Sequence, residues 1–306
     1  VDGSTYNGTP TTTAYNGDTI PASETNGGEV WECTVTPNDG TEDGYTGSAS
    51  VSIESAVTCT FGSCDMSVDL GNGINMDLVL IPSGSDPLNR YTLTNDFYMM
   101  TTEVTQGMFT RLMGYDAHTY STAYGVGPDY PVYYVSWHMA ADFANQLTVY
   151  HNSENGTSLN ECYSCSGSGS SVSCSEAITP YQCTGYRLPT EGEWEYATRS
   201  GTTSEFWTGD GSSLGGIYSS NSCDPSVTIQ DGVSNPPLSD YAWFCGNSNN
   251  SSQPVAQKLP NGFGLYDVHG NLYEWTADWL GCTFPDSITE PHCDLTGSNR
   301  VYRGGY

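Results

Sequence analysis

Eleven cysteines lie in a polar chain of 306 residues that carries only seven lysines and arginines. Cytosolic proteins seldom accumulate thiols outside metal or catalytic sites, so this pattern points to an oxidising compartment and to a fold held by disulfides. Spacing organises the set. Cys223 with Cys245 and Cys282 with Cys293 are isolated couples in Gly- and Ser-rich stretches, and each is expected to pair. Cys162, Cys165, Cys174 and Cys183 form a cluster that makes either two disulfides, in one of three connectivities, or a four-thiolate zinc site. A Ser- and Gly-rich secreted loop favours the disulfides. Cys33 takes Cys59 or Cys64, which leaves one thiol over.

Charge narrows the function classes. Asp and Glu number 35, giving a formal net charge of -28. Such a chain repels phosphate backbones and anionic membrane surfaces, so nucleic acid is excluded as a partner. Part of the excess is a solvated acidic surface, and part invites a bound hard cation such as calcium. No apolar run reaches the roughly 18 residues of a membrane helix. The N-terminal Val1-Asp2-Gly3 lacks a charged-then-apolar export signal, so an exported chain is expected to be a processed form or an excerpt.

The texture changes along the chain. Val30 to Val35 and Ala49 to Ile53 alternate with period two around the turn residues Asn38-Asp39-Gly40, which reads as a β-hairpin. With Trp31 and Cys33, this stretch resembles the later strands of an immunoglobulin-like domain of bacterial surface proteins. It is shorter than the roughly 100 residues of a whole sandwich, so residues 1–64 are assigned to a partial domain and 65–306 to a second domain. In the second, Leu78 to Ile81 and Phe97 to Met100 read as buried strands. Helices start at Thr105, with Val104 and Phe109 as a hydrophobic staple, at Ser136, and at the capping box Thr190-Glu191-Gly192-Glu193. Glu193 is the cap of that box, and Glu191 and Glu195 are expected to hydrogen-bond loops. Beyond Gly201 the chain reads as loop.

Separated blocks then recur in a fixed order: Met76-Asp77-Leu78-Val79-Leu80-Ile81-Pro82, Glu103-Val104-Thr105, Pro131-Val132, Val135-Ser136-Trp137, Tyr186-Arg187-Leu188-Pro189-Thr190-Glu191, Glu193-Trp194-Glu195-Tyr196-Ala197, Asn261-Gly262-Phe263-Gly264-Leu265-Tyr266-Asp267, Gly270-Asn271 with Glu274-Trp275, and Arg303-Gly304-Gly305. In this order they resemble the formylglycine-generating enzyme (sulfatase-modifying factor) family. The resemblance implies an α+β, C-type-lectin-related fold, loop-rich and disulfide-stapled, here preceded by the β-sandwich portion.

The family's catalytic members oxidise a sulfatase cysteine to formylglycine with oxygen and a copper ion held by two cysteines. Those cysteines follow the Arg-Gly-Gly block, beyond the residues at hand. Tyr273 also departs from the tryptophan usual in the family. The family's calcium loop carries over to Asp267, Gly270, Leu272 and Glu274, two carboxylates and two main-chain carbonyls of the hard-oxygen kind calcium prefers. His118, His138, His151, His269 and His292 show no metal spacing and read as surface or packing residues.

Two function classes follow. One is a secreted or cell-surface, non-catalytic structural or binding protein that self-associates through open strand edges, as a fibre subunit would, with an unidentified ligand. The other is the copper-dependent oxidase.

Overall fold

The structure is a computed structural model that describes residues 65–117, 122–212, 223–231, 233–282, 287–294 and 297–305, and the backbone of 30–35 and 47–52. Contacts divide the chain into two compact units, Val1–Cys59 and Thr60–Tyr306. In the first, β1 (Val30–Val35) pairs antiparallel with β2 (Gly47–Ser52), Val30 opposite Ser52 and Val35 opposite Gly47. This is the hairpin expected from the alternation. The partner of Cys33 and the position of His118 lie outside the described residues.

The second unit opens with β3 (Met66–Asp69) and β4 (Asn75–Ile81). The reversal between them is written in Gly71, Asn72 and Gly73, all at positive φ, and the Asp69 carboxylate accepts the Gly71 N–H at 2.7 Å. Two short strands, β5 (Gly84–Ser85) and β6 (Tyr91–Leu93), precede β7 (Phe97–Met100), which returns to pair with β4. The resulting three-stranded sheet runs β3-β4-β7.

Helices α1 (Gln106–Met113) and α2 (Trp137–Asn155) begin where local capping dictates. Thr105 and Ser136 accept the N–H of Met108 and Met139, each satisfying an otherwise orphan donor of the first turn. Phe109, Trp137, Ala141, Ala144 and Leu147 are buried with Leu70, Met76 and Leu78 in the main core. Phe109 stacks on Phe143 at 5.7 Å, which locks the two helices together.

The next two strands, β8 (Tyr163–Ser166) and β9 (Ser173–Glu176), form a two-stranded pair of the kind that is marginal alone. Its register sets Cys165 opposite Cys174, with Cα atoms 4.1 Å apart, and those two are bonded; Cys162 bonds Cys183. One of three possible connectivities is thereby selected, and a zinc site is contradicted because all four sulfurs are used. Asn145 of α2 seals the pair, donating to Tyr163 O at 2.7 Å and accepting its N–H at 3.2 Å.

Helix α3 (Glu191–Arg199) has the expected capping box: Thr190 Oγ1 accepts the Glu193 N–H and Glu193 Oε2 accepts the Thr190 N–H. Tyr196 and Ala197 pack with Val79, Ile81 and Leu265 in a second core. Glu195 bonds a loop as expected, pairing with Arg90 before β6 as well as with Arg199 of its own helix, whereas Glu191 departs from expectation and pairs with Arg303 of a later strand.

The C-terminal part carries β10 (Asp210–Ser212), β11 (Ile229–Gln230), β12 (Glu274–Trp279), β13 (Ile288–Thr289) and β14 (Arg300–Arg303). Here β12 pairs with β14, and β13 adds parallel to β6. Disulfides Cys223–Cys245 and Cys282–Cys293 close this loop-rich region as the spacing implies. Each such bond stabilises by about 2–4 kcal/mol in the chain-entropy account.

Candidate functional site

The loop Asp267 to Glu274 leads into β12 and is built from unusual backbone. Asp267, Gly270 and Asn271 adopt positive φ. Gly270 packs so tightly on the Trp243 carbonyl that a Cβ would clash, and its N–H donates to Gly304 O at 3.0 Å. Asn271 pins the turn, accepting the Gln253 N–H at 2.9 Å while its own N–H donates to Trp243 O. Conformations this constrained persist only where the surroundings over-determine them, and they concentrate at functional sites.

Asp267 is 1% exposed, with Oδ2 accepting the Ala256 N–H at 2.7 Å and Oδ1 buried without a partner. Glu274 Oε2 accepts the Trp194 indole N–H at 2.9 Å. Its other oxygen faces Gly304, whose missing side chain would lie 3.1 Å from Leu272 O and 3.7 Å from Glu274 Oε1. The Leu272 carbonyl and a Glu274 carboxylate oxygen therefore converge on a space kept open by a glycine. An unpartnered Asp267 oxygen, a Glu274 carboxylate oxygen and a main-chain carbonyl are hard donors of the kind calcium takes.

A third carboxylate joins them. Glu103 follows β7, its Oε1 is buried without a hydrogen-bond partner, and its Oε2 is 3.4 Å from Asn271 Nδ2. Burial raises the Glu103 carboxyl well above the usual range, and the charges of Asp267 and Glu274 raise it further. Burial likewise pushes Glu274 up to about 7, and Asp267 is raised by burial. These shifts share one main cause, carboxyl groups buried close together.

Sequence reasoning named Asp267, Gly270, Leu272 and Glu274, which share this loop as near neighbours in the chain. It missed Glu103 and Gly304, although both stand in blocks quoted above. No three His, Cys, Asp or Glu side chains form a metal cluster among the described residues. A site drawing two ligands from carbonyls falls outside that pattern.

The described histidines serve the fold. His138 Nδ1 lies 3.0 Å from Cys174 O, His151 bonds the Tyr186 hydroxyl, and His269 accepts the Trp207 N–H. His292 lies 3.2 Å from Glu176.

The fold is mixed α/β, disulfide-stapled and poor in regular structure, and the Asp267–Glu274 loop is its most constrained candidate site. Residues 44–306 match the sulfatase-modifying factor enzyme 1-like domain, and the chain belongs to that family. It is 28% identical to the chaperone protein LppX of Paenibacillus barcinonensis over 67% of this chain and 72% of that one. It is 36% identical to the formylglycine-generating enzyme of Streptomyces coelicolor over 44% of this chain, spanning 40% of that enzyme's length. Among solved structures, the variable protein 1 of Treponema denticola aligns with a TM-score of 0.57 and 26% identity, covering 79% of this chain and 87% of that one.

Among the described residues no helix is long and apolar enough to cross a membrane.

Proposed function

We propose that this protein is a secreted or cell-surface, non-catalytic binding and structural protein that uses the family fold as a rigid scaffold, with calcium held by Asp267, Gly270, Leu272 and Glu274. The observation carrying this reading is that Cys162, Cys165, Cys174, Cys183, Cys223, Cys245, Cys282 and Cys293 are all committed to disulfides. A copper(I) centre needs adjacent thiolates, and sulfurs in disulfides do not supply them. Four disulfides also favour an oxidising exterior. The likeness to a chaperone protein, LppX, supports binding rather than oxidation.

The N-terminal unit is, on this reading, part of an immunoglobulin-like domain spanning 1–64, followed by the family domain from 65. The antiparallel β1–β2 pair supports it, and open strand edges on that pair would let copies associate, as in a fibre. Light scattering and electron microscopy of the purified chain test this part: growth of large particles with concentration is expected, and a strictly monomeric species at high concentration contradicts it.

The identity to the S. coelicolor enzyme favours a second reading, a copper-dependent oxidase acting on a sulfatase cysteine. It requires thiols other than the eight above.

A further inference from the structure

A cavity of about 880 Å³ is lined by residues of β7, α1, α2 and β12. Its inner wall is apolar, with Leu78, Met100, Phe109, Phe143 and Leu147. A void of this size left empty would forfeit the packing contacts of the core, and its apolar wall offers water few hydrogen bonds, so an apolar guest suits it better than either.

Acidic side chains outnumber basic ones in the lining. Asp96, Glu103, Glu193, Glu274 and Glu290 line the cavity. Arg187, the one lysine or arginine among the lining residues, is already forked onto Glu193, at 2.6 and 2.7 Å. Glu103 Oε1 remains buried without a hydrogen-bond partner. Four tyrosines of the lining are about half exposed: Tyr98 at 43%, Tyr134 at 51%, Tyr273 at 49% and Tyr302 at 48%. Tyr273 meets Tyr302 edge-on at 4.6 Å and Trp275 meets Tyr302 edge-on at 5.7 Å, so part of the lining is a run of contacting aromatic rings. Ring faces and unpaired carboxylates both attract cations, and neither favours an anionic head.

We propose that this cavity binds an organic cation with an apolar body, an alkylammonium-type amphiphile whose chain enters the apolar interior while its positive head meets Glu103 and the tyrosine rings. Asp96, Glu103 and Glu290 lie outside the calcium set, so the inference does not rest on the calcium reading.

The test is calorimetric titration of the full, disulfide-intact chain with dodecyltrimethylammonium, dodecyl sulfate and tetramethylammonium. Saturating calcium is present, the amphiphiles stay below micelle formation, and high salt screens the general attraction of an acidic surface. Dodecyltrimethylammonium is expected to saturate a single site. The chain-matched anion and the chainless cation should each bind at least about tenfold more weakly. Glu103→Gln should weaken the cationic amphiphile by about tenfold with little effect on dodecyl sulfate. Ala144→Phe, which places a ring in the cavity, should abolish binding while the circular dichroism spectrum is kept. Equal binding of both amphiphiles, uptake without saturation, or undiminished binding by a folded Ala144→Phe chain would overturn the proposal. The wild-type comparison decides even if that variant does not fold.

Discussion

The indole N–H of Trp194 donates to Glu274 Oε2 at 2.9 Å, tying the first turn of α3 to the start of β12. Trp194→Phe keeps most of the ring's packing but leaves that carboxylate oxygen without its donor. The expected loss is about 1–3 kcal/mol, the usual effect of stranding a buried acceptor. Urea denaturation of variant and wild type checks it.

Calcium should stabilise the folded chain, because an unpartnered Asp267 oxygen, a Glu274 carboxylate oxygen and a main-chain carbonyl at this loop are hard donors. Wild type is expected to melt higher in millimolar calcium than in chelator, and Glu274→Gln should shrink that difference by removing a charge a hard cation prefers. Gly304→Ala should shrink it as well, its Cβ lying 3.1 Å from Leu272 O at a φ of 97°, in the left-handed region. Identical melting in calcium and chelator would remove the metal assignment.

A pH dependence is built around Arg300, which lies 3.8 Å from the rings of both Trp137 and Trp279 and donates to Glu176. Burial opposes charge on His292, yet the hydrogen bond and charge of Glu176, with Asp278 and Asp294, raise its pKa above the ordinary value. A histidine raised in the folded state contributes stability that is present below about 6.5 and lost as pH rises through the folded value. Asp278, pushed by burial up to about 6, acts in the same direction but at lower pH, its contribution being lost between about 4 and 6, so the fall above pH 6 belongs to His292. Glu176 is held low by His292 and Arg300 despite burial, so it stays ionised across this window. Stability measured by denaturant should therefore fall between pH 6 and 8 more steeply in wild type than in His292→Gln. Parallel profiles would contradict the coupling.

Peptide mapping of the unreduced chain should recover Cys162–Cys183, Cys165–Cys174, Cys223–Cys245 and Cys282–Cys293. Replacing Cys165 and Cys174 together by Ser should destabilise by about 2–4 kcal/mol. Loss of the β8–β9 staple is the cause.

Local features were legible before any coordinates. Thr105, Ser136 and Thr190 mark helix starts because capping is settled within one turn, and the isolated cysteine couples have no nearer partner. Features set by register or by distant chain were not. Only the β8–β9 pairing discriminates among three disulfide connectivities, and nothing near Ile288 announces that it pairs parallel beside Tyr91. Within the site, the loop Asp267 to Glu274 was readable by resemblance. Glu103 was not, because it reaches that loop from the far end of β7.

The central claim, a binding scaffold rather than an oxidase, is tested most directly by incubating the purified chain with copper, oxygen and a cysteine-containing sulfatase-motif peptide and weighing the peptide by mass spectrometry. The account predicts no conversion of that cysteine to an aldehyde. Appearance of the aldehyde, dependent on the chain and on copper, would contradict it.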